Sequence, residues 1–174
     1  MNEKVNINPL ENELPSNYAD RLGIYYAKQV TQKHKKDNGQ FFTPIPIACL
    51  MASFCNLTES SLKILDPGCG TGVLTCALIE NLIEKKTNIE FISLVAYETD
   101  PELIFFSRKT LSYLKNWLQL KGVSFEYKLH IHDFILENAK VLRNTSRSQI
   151  NFDIIISNPP YFKLAKDDEK AIAA

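Results

Sequence analysis

The chain has 174 residues, 45% of them hydrophobic, which is enough for one globular domain with a genuine core and too little for two of ordinary size. Basic and acidic residues number 20 each, so no global field advertises a nucleic-acid or membrane partner, and any such contact is local or made elsewhere. The apolar runs fall short of the roughly 20 residues that span a bilayer and the first residues lack a signal pattern, so the chain reads as cytoplasmic, with no membrane partner.

From residue 16 to about residue 36, Tyr18, Leu22, Tyr25, Tyr26 and Val30 recur at helical spacing. This predicts one amphipathic helix ending in Lys33-His34-Lys35-Lys36, read as a solvated end whose cations favour the helix dipole rather than as a phosphate contact. Asp37-Asn38-Gly39 breaks the period, Gln40-Phe41-Phe42-Thr43-Pro44 forms a loop, and a second helix runs over 46–55 with proline in its first turn. Alternation then takes over: a strand over 63–66, a glycine loop, a helix over 72–86 and a buried strand over 91–97 make a βαβ unit. A helix over 101–120, a strand over 124–131, a polar loop over 143–148 and a strand over 152–157 follow. The alanine-rich end, 165–174, reads as a helix start or a fraying tail.

The fold expected is therefore α/β, a Rossmann-like, doubly wound, mostly parallel sheet that is incomplete at its end and preceded by N-terminal helices. Residues 1–56 form the helical segment with the 40–44 loop, and 57–174 the first part of the sheet domain. The four cysteines lack the paired short spacings of a zinc site and His34, His130 and His132 do not complete one, so no metal is expected. Cys49, Cys55 and Cys76 read as small core residues, and Cys69 as a packing choice within the glycine loop. His130 and His132, flanking Ile131 on a strand, are given structural or surface roles.

Three loops at strand ends carry the chemistry. In Asp66-Pro67-Gly68-Cys69-Gly70-Thr71-Gly72 the alternating glycines permit a tight turn and a close backbone approach, and the following helix presents unpaired amides, so a nucleotide-like ligand can lie across the loop. A purely structural strand–helix turn would also use glycine. Tyr97-Glu98-Thr99-Asp100 ends the second strand; Glu98 can accept from both hydroxyls of a ribose, while Asp100, before Pro101, suits a helix cap. Asp133-Phe134 offers an acceptor for a base amine and a ring to pack on the base. Last, Asn158-Pro159-Pro160-Tyr161 follows the apolar run 152–157. Two prolines stiffen the loop and remove two donors, Asn158 adds a side-chain carbonyl and Tyr161 a flat ring, which together suit a planar amine or amide.

In this order the motifs resemble the S-adenosylmethionine-dependent adenine DNA methyltransferases of restriction–modification systems, whose cofactor half precedes the catalytic loop and then target recognition; the resemblance spans 40–162. It implies a class I methyltransferase fold with S-adenosylmethionine as cofactor. It implies that Phe42 and Thr43 hold the methionine end, Thr43 at the carboxylate, with Asp66 near the amino group and Gly68, Gly70 and Gly72 cradling the ligand. Glu98 would bind the ribose, and Asp133 with Phe134 the adenine. Asn158, Pro159, Pro160 and Tyr161 would form the catalytic loop, transferring methyl directly to the amine of a flipped adenine. The family's later strands, its second aromatic face and its target-recognition domain have no counterpart here, so DNA contacts are expected mostly from another part of a longer protein or from a specificity or endonuclease partner. An open edge at the fourth strand would favour self-association. The alternatives are a methyltransferase for RNA bases or protein glutamine, against which the 40–44 motif argues, and a non-catalytic assembly subunit.

Overall fold

The computed structural model describes residues 6–37, 40, 42–85, 88–142 and 151–159. Helix α1 spans Pro15–Gln29 with proline in its first turn. Its N-terminal donors are met from across the core: the Glu80 carboxylate accepts from the Ser16 amide at 2.7 Å and the Ser16 hydroxyl at 2.6 Å. Burial pushes the Glu80 carboxyl up against the lowering effect of those two donors. The buried residues Tyr18, Ala19, Leu22, Gly23 and Tyr26 form one stripe at helical spacing.

The single helix expected over 16–36 is in fact two, because Val30 turns extended and α2 restarts at Gln32–Asp37. Thr31 explains the break. Its hydroxyl accepts the His34 amide at 3.1 Å, an N-cap that stabilises a new helix start over continuation of the old one. Helix α3, Ile45–Ser53, buries Ala48 and Ala52 and shares many contacts with α4, so Cys49 lies exposed, contrary to its expected place in the core.

Strand β1 is Ser61–Asp66, helix α4 Val73–Glu84, strand β2 Phe91–Tyr97, helix α5 Pro101–Gln119 and strand β3 Ser124–His130. Asp100 caps α5 by accepting the Glu102 amide at 2.9 Å, as the Asp-Pro pair predicts. A helix α6, Phe134–Leu142, was not foreseen, and Asp133 caps it by accepting the Ile135 and Leu136 amides. Strand β4 is shorter than predicted, only Ile154–Ile155.

All pairings are parallel and the strand order is β3-β2-β1-β4. Register places Leu62 and Ile64 of β1 beside Ile92 and Leu94 of β2, on the face whose buried cluster includes Leu74, Ala77 and Leu78 of α4 and Leu111 and Leu114 of α5. Tyr97 has the opposite pleat and meets Phe134 of α6 edge-on at 5.1 Å. Helices α4 and α5 therefore cover one face, while α6 reaches the other at Tyr97, as right-handed crossovers require when the chain passes from β3 back beyond β1. This is an incomplete Rossmann-like fold. Helices α1 and α3 add Ala19, Ala48 and Ala52 to the main core cluster. No helix among the described residues is long and apolar enough to cross a membrane.

Candidate functional site

The direction of winding reverses at β1, which has β2 on one side and β4 on the other. Open α/β sheets have a crevice at the carboxyl ends of their strands at such a point. Here the crevice is a small open cleft lined by Phe42, Thr43, Gly68, Cys69, Gly70, Thr71, Val73, Leu74 and Asn158. Segments far apart in the chain thus meet around one volume.

The glycine loop is held from several directions. The Cys69 amide donates to the Tyr97 carbonyl at 2.9 Å, the Gly70 amide to the Glu98 carboxylate at 3.1 Å, and the Ser107 hydroxyl of α5 to the Gly70 carbonyl at 2.6 Å. From α1, Gly23 lets the loop approach closely: a Cβ there would lie 3.2 Å from the Thr71 hydroxyl and 3.4 Å from the Phe42 ring. Gly72 has φ +92° and caps α4, and its missing Cβ would lie 3.3 Å from a Thr110 methyl. Gly72→Ala is therefore expected to destabilise the fold by about 1–2 kcal/mol, the usual expense of a left-handed L-residue, measured as a lower urea midpoint with unchanged slope.

Two features fit a ligand lying across this loop. A Cβ added at Gly68 would meet nothing within 4 Å, so bare backbone faces open space at the cleft wall. Beneath the loop, Asp66 is fully buried; its Oδ2 accepts the Thr75 hydroxyl at 2.7 Å, while Oδ1 has no well-formed hydrogen bond among the described residues. Burial drives the Asp66 carboxyl up to about 7, opposed by the Thr75 and Gly68 hydrogen bonds and helped by the nearby Glu98 charge. A buried acceptor with spare capacity suits a donor brought by a ligand.

Glu98 is more occupied than its position at a strand end suggests. Besides Gly70, it accepts the Thr99 and Asp100 amides at 2.8 and 2.9 Å on Oε1. Its carboxyl is raised by burial despite these donors. Each carboxylate oxygen has two lone pairs, so Oε2, with one amide bound, still has room for a hydroxyl. Asp133 serves α6 as its cap, Phe134 packs on Tyr97, and Tyr97 also stacks on His130 at 4.4 Å. Asp133 and Phe134 follow β3, two strands from β1, and do not line the cleft.

Phe42 and Thr43 do line the cleft, and Thr43 meets Asn158 directly: the Asn158 amide donates to the Thr43 hydroxyl at 2.9 Å. Pro159 follows, exposed, whereas Pro160 and Tyr161, expected to stack on a base, lie outside the described residues. Cys69 is buried and its thiol is pushed well up by burial and by the Asp66 and Glu98 charges, the opposite of a reactive cysteine.

Sequence reasoning missed a cluster at the rim. Asp100, 1% exposed, accepts from Tyr26 and Gln40 in short hydrogen bonds and faces the His34 Nε2 at 2.7 Å, in addition to capping α5. Burial by itself would raise its carboxyl, but the Tyr26, His34, Gln40 and Glu102 donors hold it below the usual carboxylate range. The Tyr26 hydroxyl is driven well above the usual phenol range by burial and by Asp100. His34 belonged to a cluster that looked like a solvated helix end, and nothing in its spacing pointed to an acid 66 residues away.

Comparison with known proteins agrees with this architecture. A family model described as N-6 DNA Methylase matches residues 20–172. The chain is 33% identical over 144 residues to the type II methyltransferase M.BsuBI of Bacillus subtilis, covering 79% of this chain and 27% of that protein. It is 31% identical over 147 residues to the type II methyltransferase M.AccI of Acinetobacter calcoaceticus, covering 84% of this chain and 22% of that one. The chain thus spans roughly a quarter of the length of these curated relatives. Among solved structures it resembles a Listeria monocytogenes protein assigned to the class I S-adenosylmethionine-dependent methyltransferases, with a TM-score of 0.58 and 21% identity over 95% of this chain and 45% of that chain, a likeness of fold.

Proposed function

We propose, for a chain that belongs to the N-6 DNA methylase family, that its cleft takes part in methyl transfer from S-adenosylmethionine to the exocyclic amine of adenine in DNA, within a restriction–modification system. The observation that carries this reading is the meeting of Thr43, the glycine loop and Asn158 around one cleft. The cofactor supplies an electrophilic methyl group on a sulfonium. Phe42 and Thr43 would hold its methionine end, Asp66 its amino group, the backbone at Gly68 and Gly70 its body, and Glu98 its ribose. Asp133 and Phe134 would flank its adenine.

Asn158 and Pro159 do the rest. The Asn158 side-chain carbonyl and the Pro159 backbone carbonyl accept the two hydrogens of the target amine, which orients the nitrogen lone pair and stabilises the positive charge that grows on nitrogen. No strong base is required beforehand. For a duplex the adenine leaves the stack, and Tyr161 would support it there. With zero net charge, this chain relies for most DNA phosphate contacts on another segment or on a specificity or endonuclease partner. Among the described residues β4 is an edge strand, with Ile155 66% exposed, and self-association would begin there.

The decisive experiment offers labelled S-adenosylmethionine to the longest natural form of the protein with DNA, transfer RNA or a glutamine-bearing protein. N6-methyladenine in DNA is the expected product. Label in RNA or protein alone would overturn the substrate reading, and cofactor binding without any transfer would favour an assembly subunit.

A pH dependence follows from Asp66. An amino group binds its ionised form, so the ligand draws the carboxyl down from about 7 and releases a proton. Between pH 7.5 and 6.0, where an α-amino group stays mostly charged, cofactor affinity is expected to fall by about 3- to 10-fold. The ligand-free fold behaves oppositely: its raised Asp66 stabilises it at low pH, and that contribution is lost as pH rises through about 7. Calorimetry in two buffers of different ionisation enthalpy measures both affinity and proton release; flat affinity with no proton release would remove Asp66 from the ligand site.

A further inference from the structure

The hydrogen bond from Asn158 to Thr43 joins residues 115 apart in the chain and ties the loop expected to hold the cofactor carboxylate to the residue expected to hold the target amine. We propose that Thr43 is a positioning residue that sets which end of the Asn158 amide faces the substrate, and that the cofactor carboxylate sets it through Thr43. The proposal rests on the functional reading above.

A hydroxyl has one proton and two lone pairs, whereas a primary amide has an acceptor end and a donor end. The Asn158 amide can therefore meet Thr43 in two ways. In one, Nδ2 donates to the Thr43 oxygen at 2.9 Å, the arrangement seen here, and Oδ1 is left to accept from a target amine. In the other, Thr43 donates its proton to Oδ1, and Nδ2 is turned toward the target, donor against donor. The second arrangement cannot orient an amine.

Once a carboxylate takes the Thr43 proton, the oxygen can only accept, and only Nδ2 can face it. Cofactor occupancy thereby selects the productive flip of Asn158. Thr43 is well placed for this role: it is 7% exposed, and Pro44 after it is the N-cap of α3, so its backbone leads directly into a helix that packs on α4. A carboxylate contact at Thr43 is thus read out at Asn158, which lines the same cleft.

The test compares Thr43→Val, which keeps shape and loses the hydroxyl, with Thr43→Ser, which keeps the hydroxyl, in the full-length natural protein. Cofactor affinity is measured by calorimetry, transfer rate at saturating cofactor by label incorporation, and the Asn158 side-chain NH2 by nitrogen-15 NMR, its signals assigned by their loss in Asn158→Asp. In the wild type, S-adenosylhomocysteine is expected to slow hydrogen exchange of that NH2, whereas decarboxylated S-adenosylmethionine is not. Thr43→Val is expected to lose this protection and to lower kcat at saturation by about 10- to 100-fold, with Thr43→Ser within about threefold of wild type. If Thr43→Val only weakens cofactor affinity, leaving kcat and the Asn158 signals unchanged, Thr43 is a cofactor contact alone and the proposal fails. If the wild type neither binds the cofactor nor transfers methyl, the functional reading itself fails, a result distinct from the first.

Discussion

Asn158→Ala is expected to reduce methyl transfer by about 10³-fold while leaving cofactor affinity within about twofold, the pattern of a group whose interaction matters chiefly in the transition state. The side chain stands just past β4 and lines the cleft together with Phe42, Thr43 and the glycine loop. On the function proposed above, alanine would remove one of two acceptors for the target amine, and the Pro159 carbonyl left behind would not by itself fix the nitrogen lone pair. It also frees the Thr43 hydroxyl, which keeps its own proton for a carboxylate, and this is why affinity should hardly change. Single-turnover label incorporation, with affinity from calorimetry on the same preparation, separates the two effects. Transfer within tenfold of wild type would show that Asn158 is not the amine acceptor.

Asp100→Ala should have the largest effect on stability, a loss of about 3–5 kcal/mol, as is usual when one member of a buried, hydrogen-bonded charge network is removed. The carboxylate accepts from Tyr26 on α1, faces His34 on α2, accepts from Gln40 at the start of the 40–44 loop and caps α5 through the Glu102 amide. Alanine strands these donors together, and the lost cap alone accounts for about 1 kcal/mol. Tyr26→Phe is the useful control, because the other donors keep the carboxylate solvated and the expected loss is only about 1–2 kcal/mol. Urea denaturation measures both.

The sign of the pH effect follows from the same contacts. Asp100 is held below the usual carboxylate range, so its stabilisation is present above the ordinary carboxylate range and is lost as pH falls through the lowered value. The wild type should therefore lose stability on acidification more steeply than Asp100→Ala. Since Gln40 anchors the approach to Phe42 and Thr43, the variant should also bind the cofactor more weakly, and normal affinity in a folded Asp100→Ala protein would show that the rim cluster does not position that loop.

The order of elements, the parallel alternation and the chemistry of the loops could be read along the chain because each rests on local physics. The near-continuous apolar run over 91–97, the alternation over 124–130, the glycines after Asp66 and the Asp100-Pro101 cap are all decided by neighbours a few residues away. Where local signals compete, the chain is ambiguous: the Thr31 cap divides the period over 16–36 into two helices, and Asp133-Phe134, which suits a ligand pair, also serves as the cap and first residue of α6. The shortness of β4 is hidden, since an apolar run does not reveal how much of it finds a paired neighbour.

What the sequence by itself determined, then, is the kind of fold and the kinds of groups available at its strand ends. Only the tertiary structure decided how those groups are used. It gave Glu98 to the backbone amides of its own turn and the glycine loop, drew Tyr26, His34 and Gln40 onto Asp100, and set Asn158 against Thr43. The physical reason is that a buried donor or acceptor must find a partner wherever the packed chain supplies one, and packing brings together residues whose separation along the chain carries no signal.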